Sequence, residues 1–218
     1  MIVFIIRHII HFDRQLSNKI NALKQWMNNK GEKKTYTELP EDMHASYPLS
    51  ISTFGHIDYR QRLLHIIDDQ DYYNFRLNFV SFEKVLNYVD NDMFPHARNK
   101  KEGLLIKYVD PLHQVEVYQY YFPYFESNSL VSFIRIKNIS TKEIRLSRAL
   151  SMQLDLDKED YDITTYTGKW AHERHITHNK VNKGVFINES TCGSSSSFNN
   201  PAIMINDKDN YYLFNLIY

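Results

Sequence analysis

The sequence predicts a mainly β protein, a large antiparallel β-sandwich with one or two short helices. Aromatic residues make up 14% of the 218 residues, and aromatic side chains suit the pleated, half-buried surface of a strand. From residue 63 onward apolar and polar residues alternate with a period of two, which is typical of strands that bury one face. Helical patterns do not alternate with these strands, and this argues against a parallel α/β sheet.

The first two elements are a strand and a helix. Residues 2–12 are rich in Ile, Val and Phe and predict a buried strand. A helix is predicted near 14–29, because apolar residues recur there at helical spacing, namely Leu16, Ile20, Leu23, Trp26 and Met27. The polar run 30–46 is expected to be a loop.

The later elements are predicted to form an antiparallel meander. Residues 113–122 and 130–138 alternate as strands and are joined by a turn. Residues 143–156 have apolar even positions except for Arg148, and predict one long strand that is bent or bulged midway. Residues 211–218 predict a last apolar strand. We expect it to leave an exposed edge, which favours association with a partner.

Composition and charge exclude several classes of protein. The net charge is zero, so we expect neither a nucleic-acid partner nor attraction to a membrane surface. Cys192 is the single cysteine, which rules out an intrachain disulfide and fits a reducing compartment. The six apolar residues at the start are too short for a signal peptide or a membrane span. A soluble cytoplasmic protein is therefore expected.

Three histidines, His172, His175 and His178, suggest a metal site at first sight. On a strand, residues three apart point to opposite faces, so His172 and His175 should not ligate one ion. On a helix the three would spread too widely to hold zinc, and no zinc motif is present. We therefore expect no metal here. A structural or surface role and hydrogen bonding to a sugar both stay open for these histidines.

Other polar clusters also lack the pattern of a known site. The carboxylates between Asp155 and Asp162 lack the glycine and the closing glutamate of a calcium loop. The serines of residues 192–197 lack the Gly-x-Ser-x-Gly elbow. No nucleotide-binding loop occurs. The residues alone therefore predict no cofactor and no catalytic constellation.

Several stretches taken together resemble one known family. The segment TFGHIDYR, residues 53–60, resembles a turn whose sequence in the family is Gly-Asp-Tyr/Phe-Arg. Residues 147–176 resemble its Arg-Ala-Leu-Ser strand, its Leu-Asp run and its Trp-x-Arg-Glu-Arg-His signature. Residues 192–201 resemble its Gly-Ala-Ser-Ser-His-Gln-His-Asn-Pro segment. The chain therefore resembles the N-terminal domain of bacterial α-galactosidases of glycoside hydrolase family thirty-six, with Ile57 in place of a family glycine and His172 in place of an arginine.

The resemblance implies a fold and a parent activity. Residues 1–218 would form a single β-supersandwich domain, incomplete at both ends and without the family's catalytic (β/α)8 barrel. The parent activity is retaining hydrolysis of terminal α-galactosides of the melibiose and raffinose type, which uses two carboxylates. The family places both in the barrel, so we expect a non-catalytic part that is inactive alone. Whether the chain counts as an enzyme stays open.

The resemblance also implies site residues and partners. Asp58 would lie near the galactose subsite, with Tyr59 and Arg60 orienting its turn and Trp170 supplying an aromatic face. No catalytic residue is expected in this chain. The expected partners are an α-galactoside sugar and further copies of the chain in a homo-oligomer. Two alternatives remain: a freestanding carbohydrate-binding or assembly module, and the relic of a truncated gene.

Overall fold

The structure, a computed structural model, describes the chain in ten stretches. They are residues 3–12, for which only the backbone is described, and residues 51–55, 61–90, 96–154, 156, 160–169, 171–181, 184–189, 198–207 and 210–217. Strands dominate these stretches, and they pair antiparallel throughout. The predicted mainly β, antiparallel class is therefore confirmed. The predicted helix near 14–29 and the loop at 30–46 lie outside the described residues.

Eleven strands are found in the described part of the chain. In order they are β1 Val3–Phe12, β2 Leu64–Ile67, β3 Asn78–Leu86, β4 Glu102–Asp110, β5 Val115–Tyr124, β6 Ser129–Asn138, β7 Arg145–Ala149, β8 Asp162–Lys169, β9 His172–Lys180, β10 Asn199–Asn206 and β11 Tyr211–Ile217. A short 3-10 turn, Phe125–Ser127, joins β5 to β6. Within these residues no helix is long and apolar enough to cross a membrane.

Nine of the strands form one sheet in the order β3-β4-β5-β6-β1-β11-β10-β8-β9. The predicted strand at the start of the chain is confirmed as β1, which lies in the middle of the sheet between β6 and β11. The predicted exposed edge at the end of the chain is wrong. Strand β11 pairs with β1 on one side and β10 on the other, so its backbone groups are used on both sides. The edges of this sheet are β3 and β9.

The second layer of the sandwich is a small sheet of β2 and β7. A bulge at Ser147 interrupts this pair, because His65 lies opposite Arg148 but Ile66 lies opposite Leu146. The predicted midway irregularity is therefore confirmed, whereas the predicted length is wrong. The strand ends at Ala149, although one further bond to the chain before β2 follows. The Leu150 N–H donates to the Leu63 carbonyl at 2.9 Å.

The main core lies between the two layers. Alternation along β5 and β6 points Val117 and Ile136, which are paired across the strands, toward the small sheet. They pack with buried residues of both layers, namely Ile51, Leu63, Leu64, Ile66, Phe75, Leu77, Val115 and Ile134. A second cluster joins Leu130 and Tyr212 to Met152, Leu154 and Leu156. This packing fixes the segments on either side of residue 58.

The opposite face of the large sheet carries an aromatic cluster. Tyr120, Phe122 and Phe133 stack with ring centroids 4.6 to 6.3 Å apart. Tyr88, from the loop after β3, covers them at 5.2 to 5.8 Å. These rings stabilise the sheet as cross-strand aromatic pairs do in other sheets.

Candidate functional site

The site residues predicted from the sequence fall on two turns. Asp58, Tyr59 and Arg60 belong to residues 56–60, and Trp170 precedes β9. All four lie outside the described residues. Their placement therefore stays a prediction, but the residues directly before and after each turn are described. These flanking residues show how each turn is held.

The residues directly before position 56 are hydrogen-bonded to one backbone carbonyl. The Gly55 N–H and the Thr53 hydroxyl both donate to the carbonyl oxygen of Phe75, at 2.8 and 2.5 Å. A side chain at Gly55 would collide with that carbonyl, since an added Cβ would lie 2.3 Å from its oxygen. Glycine is required here by this close approach and not by an unusual φ.

The same segment is also hydrogen-bonded to the residues that follow 56–60. The Ser52 hydroxyl accepts a hydrogen bond from the Leu63 N–H at 3.1 Å, and the Ser52 carbonyl accepts one from the Leu64 N–H at 3.0 Å. Both ends of the turn are thus joined to each other. We conclude that the chain on the two sides of residues 56–60 is held together by backbone and side-chain hydrogen bonds.

Polar side chains from the second layer hold the far end of the turn. Gln153 donates from Nε2 to the Gln61 carbonyl at 3.0 Å, and Arg148 donates to the Gln61 side-chain oxygen at 2.6 Å. Arg148 is the one polar residue among the even positions of the 143–156 pattern. Its bond to Gln61 explains the exception: the bulge turns Arg148 outward, where it supports the turn.

An exposed aromatic group lies beside this turn. Phe54, His65 and Tyr73 form the Phe54 cluster, with ring centroids 4.7 to 5.9 Å apart. The Arg62 guanidinium lies 5.8 Å from the Phe54 ring. Phe54 is 38% exposed and Tyr73 is 53% exposed. An apolar surface of this kind next to polar groups is able to pack against the apolar face of a sugar or of a protein.

A cavity lined mostly by polar residues lies near His113. It is an open cavity of about 280 Å³ between the β4–β5 turn and the β6–β7 connection, and its lining includes Asp68, His113 and Lys142. The His113 ring stacks on Phe75 at 3.9 Å between centroids. Its Nδ1 lies 2.9 Å from Asp110 Oδ2, and its Nε2 lies 4.0 Å from Asp68 Oδ2.

The electrostatics of this cavity favour charged Asp68. Partial burial acts to raise the pKa of Asp68. The N–H donors of Gln70 and Tyr72, together with His113 and Lys142, outweigh it and hold that pKa below its usual value. Sequence reasoning missed this cluster. The available signal was the turn of residues 110–114, where an aspartate precedes a proline and a histidine.

The second predicted turn is the tip of the β8–β9 hairpin, and its geometry differs from expectation. Lys169 lies opposite His172, and Thr167 lies opposite His175. Two residues of β9, Glu173 and Arg174, therefore oppose the single Gly168, which is a β-bulge. Arg174 has φ 60°, and a Cβ at Gly168 would lie 2.8 Å from the Glu173 Cα.

The bulge overturns the argument that His172 and His175 face opposite ways. Thr167 and Lys169 are two residues apart and share a face of β8, so their partners His175 and His172 share it too. Their ring centroids are 5.7 Å apart. His178 pairs with Thr164 and lies on the other face. Among the described residues no group of three or more His, Cys, Asp or Glu is placed to hold a metal ion.

Comparison with known proteins supports one family. Residues 7–217 match the Glycosyl hydrolase family 36 N-terminal domain. The bifunctional α-galactosidase/sucrose kinase AgaSK of Mediterraneibacter gnavus is 28% identical over 164 residues, which cover 74% of this chain and 18% of that protein. The α-galactosidase Mel36A of Lactobacillus acidophilus is 22% identical over 92% of this chain and 28% of its own length.

Solved structures show the same fold. The α-galactosidase of Lactobacillus brevis superposes with a TM-score of 0.69 at 17% identity, over 88% of this chain and 31% of that one. A variant of AgaA from Geobacillus stearothermophilus in complex with raffinose gives 0.69 at 20% identity, over 85% of this chain and 32% of that one. The chain thus spans about a third or less of the relatives it matches. It belongs to the N-terminal domain family of the family 36 glycosyl hydrolases.

Proposed function

We propose that this chain is the non-catalytic N-terminal part of a retaining α-galactosidase that acts on terminal α-galactosides. The observation that carries the proposal is the family match over residues 7–217, in relatives of which the chain spans 18 to 28%. The two carboxylates that a retaining mechanism needs, about 5 to 5.5 Å apart, are assigned to a (β/α)8 barrel outside these 218 residues. Residues 1–218 then act as one supersandwich domain.

A covalent trap tests the absence of catalysis. A retaining glycosidase forms a glycosyl-enzyme intermediate, which a 2-deoxy-2-fluoro galactosyl donor with an activated leaving group arrests. Intact mass spectrometry of the incubated chain is expected to show no added sugar. The α-galactosidase AgaA, treated in parallel, is the positive control. A stoichiometric galactosyl adduct on this chain would overturn the proposal.

Within the same proposal, the 56–60 turn forms the edge of the galactose site. A carboxylate at Asp58 accepts hydrogen bonds from sugar hydroxyls, which are strong because the acceptor is charged. Tyr59 and Arg60 orient the turn, and Trp170 supplies an aromatic face. The paired ends of the turn support this role, since a binding loop needs rigid supports to hold a carboxylate in place.

Assembly into a homo-oligomer is the second part of the proposal. Val185, Phe186 and Ile187 directly precede the segment that is hydrogen-bonded to β10, where Asn199 Nδ2 donates to the Glu189 carbonyl at 2.6 Å, and Phe198 directly precedes β10 itself. We call these four residues the apolar rim. Val185 is 84% exposed and Ile187 is 66% exposed, and exposed apolar groups of this kind mark protein contacts.

Light scattering after size exclusion tests the assembly. The wild-type chain is expected to elute as an oligomer. The double variant Val185→Ser with Ile187→Ser is expected to shift it toward the monomer. Leu112→Ser, which changes a residue 82% exposed on the β4–β5 turn, is the matched control. A monomeric wild type, or equal dissociation by Leu112→Ser, would refute this part.

The Phe54 cluster favours a second candidate, in which the chain binds carbohydrate by itself. Titration of raffinose into the whole chain by calorimetry is expected to give a saturable response that Phe54→Ala removes. Tyr211 is as exposed as Tyr73 but lies on β11, so Tyr211→Ala is the matched control and is expected to bind like wild type. No saturable heat at millimolar raffinose would dismiss this candidate and leave the first one standing.

A further inference from the structure

The β-bulge at the tip of the β8–β9 hairpin creates a feature that a regular strand lacks. His172 and His175 are three residues apart, yet they lie side by side on one face of an edge strand. Their rings are nearly parallel, at 18°. Both residues are exposed, and in the part of the chain that the structure describes neither ring makes a hydrogen bond or an ion pair. Their nitrogens are therefore available to a ligand.

The spacing of the two rings suits a metal ion held between them. A ring nitrogen binds zinc at about 2.0 to 2.1 Å, and it lies about 1.1 Å from its own ring centroid. Two imidazoles on one tetrahedral ion therefore have centroids about 5.2 Å apart. The observed distance is 5.7 Å. Closing this gap and turning one nitrogen of each ring toward the same point requires rotation about the χ angles of two exposed side chains, which staggered rotamers allow.

The surroundings define what kind of metal site this is. The residues opposite the two histidines are Lys169 and Thr167, neither of which is a preferred ligand beside imidazole. The protein thus supplies two nitrogen ligands, and water completes the coordination. Imidazole favours nickel, copper and zinc among the divalent ions, and carboxylate and carbonyl oxygens favour magnesium and calcium.

We propose that His172 and His175 form a surface site for one nickel, copper or zinc ion, created by the bulge opposite Gly168. The site exchanges its metal readily, because two ligands and open water positions differ from the closed four-ligand cage of a structural zinc site. It is separate from the galactoside-binding role proposed for Asp58 and needs no turnover to be observed.

Calorimetric titration of nickel chloride into the untagged full chain tests the site. One equivalent is expected to bind most tightly. His172→Ala and His175→Ala are each expected to weaken that binding by about tenfold or more, because each removes one of the two imidazole groups that bind the ion together. His178→Ala is the matched control. It lies on the same strand but the other face, with Nδ1 3.0 Å from the Thr164 hydroxyl, and it is expected to leave nickel binding unchanged.

A measurement on the wild-type chain keeps the test independent of the variants' folding. Small amounts of copper(II) are expected to broaden the NMR signals of His172 and His175 before that of His178. Wild-type nickel affinity in both alanine variants would overturn the proposal. So would an equal loss in His178→Ala, or copper broadening that reaches His178 first.

Discussion

Replacing Gly55 by alanine is expected to loosen the support of the 56–60 turn. An added Cβ would lie 2.3 Å from the Phe75 oxygen, 2.7 Å from the Phe75 carbonyl carbon and 2.8 Å from the Arg76 Cβ. Two of these are backbone atoms, so rotation of a side chain does not relieve the contact. Because Cβ atoms essentially never approach closer than 3.0 Å, the two segments must separate by about 0.7 Å.

The size of the effect follows from that movement. The Gly55 N–H···O bond, now 2.8 Å, would lengthen to about 3.5 Å, where a hydrogen bond is close to lost. A buried polar group left without its partner costs about 1 to 3 kcal/mol. Forcing an extra carbon into a packed region costs about 1 to 3 kcal/mol. We therefore expect Gly55→Ala to lower the free energy of unfolding by about 2 to 6 kcal/mol.

Urea unfolding followed by circular dichroism measures this loss. Thr53→Ser is the matched control, since it keeps the hydroxyl that bonds to Phe75 and removes one methyl group, which costs about 1 kcal/mol. An unfolding midpoint for Gly55→Ala equal to that of wild type would refute the reasoning. A loss no larger than that of Thr53→Ser would refute it as well.

Three further changes test other parts of the structure. Asp90→Ala leaves the buried Lys100 ammonium without its carboxylate and is expected to cost about 3 to 5 kcal/mol in thermal unfolding. Asp69→Ala, which breaks an exposed ion pair with Lys142, should cost less than about 1 kcal/mol. The Lys107 ammonium and the Tyr118 hydroxyl lower the pKa of Glu116, so its stabilisation is full above the ordinary glutamate pKa and is lost as pH falls through the lowered value. Glu116→Gln is therefore expected to flatten the loss of stability on acidification. Gly168→Ala places a Cβ 2.8 Å from the β9 backbone, and faster amide hydrogen exchange confined to the β8–β9 hairpin is the expected result.

The period-two pattern predicted most of the strands, because alternation reports directly which side chains are buried. Val115–Tyr124 and Ser129–Asn138 follow their predicted segments within two residues. The pattern failed where hydrogen bonds to distant residues, and not burial, determined whether a segment forms a strand. Residues 151–154 alternate like a strand, but they bond outside a ladder: the Ser132 hydroxyl donates to the Ser151 carbonyl at 3.1 Å, and Gln153 Nε2 donates to the Gln61 carbonyl at 3.0 Å.

Strand order was beyond the reach of the pattern. An apolar strand at the end of the chain has the same sequence pattern whether it lies at an edge or inside the sheet. Its true neighbours come from distant sequence, since Tyr212 pairs with Phe12. The bulge at Arg174 was equally hidden, because an extra residue in one strand is defined by the register of its partner. The face shared by His172 and His175 depends on that register alone.

The candidate site was predictable from the sequence only as far as the family resemblance carried it. That resemblance is now supported by the match over residues 7–217, and Asp58 and Trp170 stay predictions. The cavity at His113 was not predicted, because Asp68 and Asp110 are 42 residues apart in the sequence and approach the same histidine ring only in the folded chain, at 4.0 and 2.9 Å from its two nitrogens.

The hydrolysis of p-nitrophenyl α-galactoside by the purified 218-residue chain tests the central claim most directly. The proposed role as a non-catalytic part predicts release of p-nitrophenol at the rate of buffer alone. Asp58→Asn, measured beside the wild type, is predicted to give the same rate. Release above the buffer rate that Asp58→Asn abolishes would contradict the account, because this chain would then contain its own catalytic carboxylate.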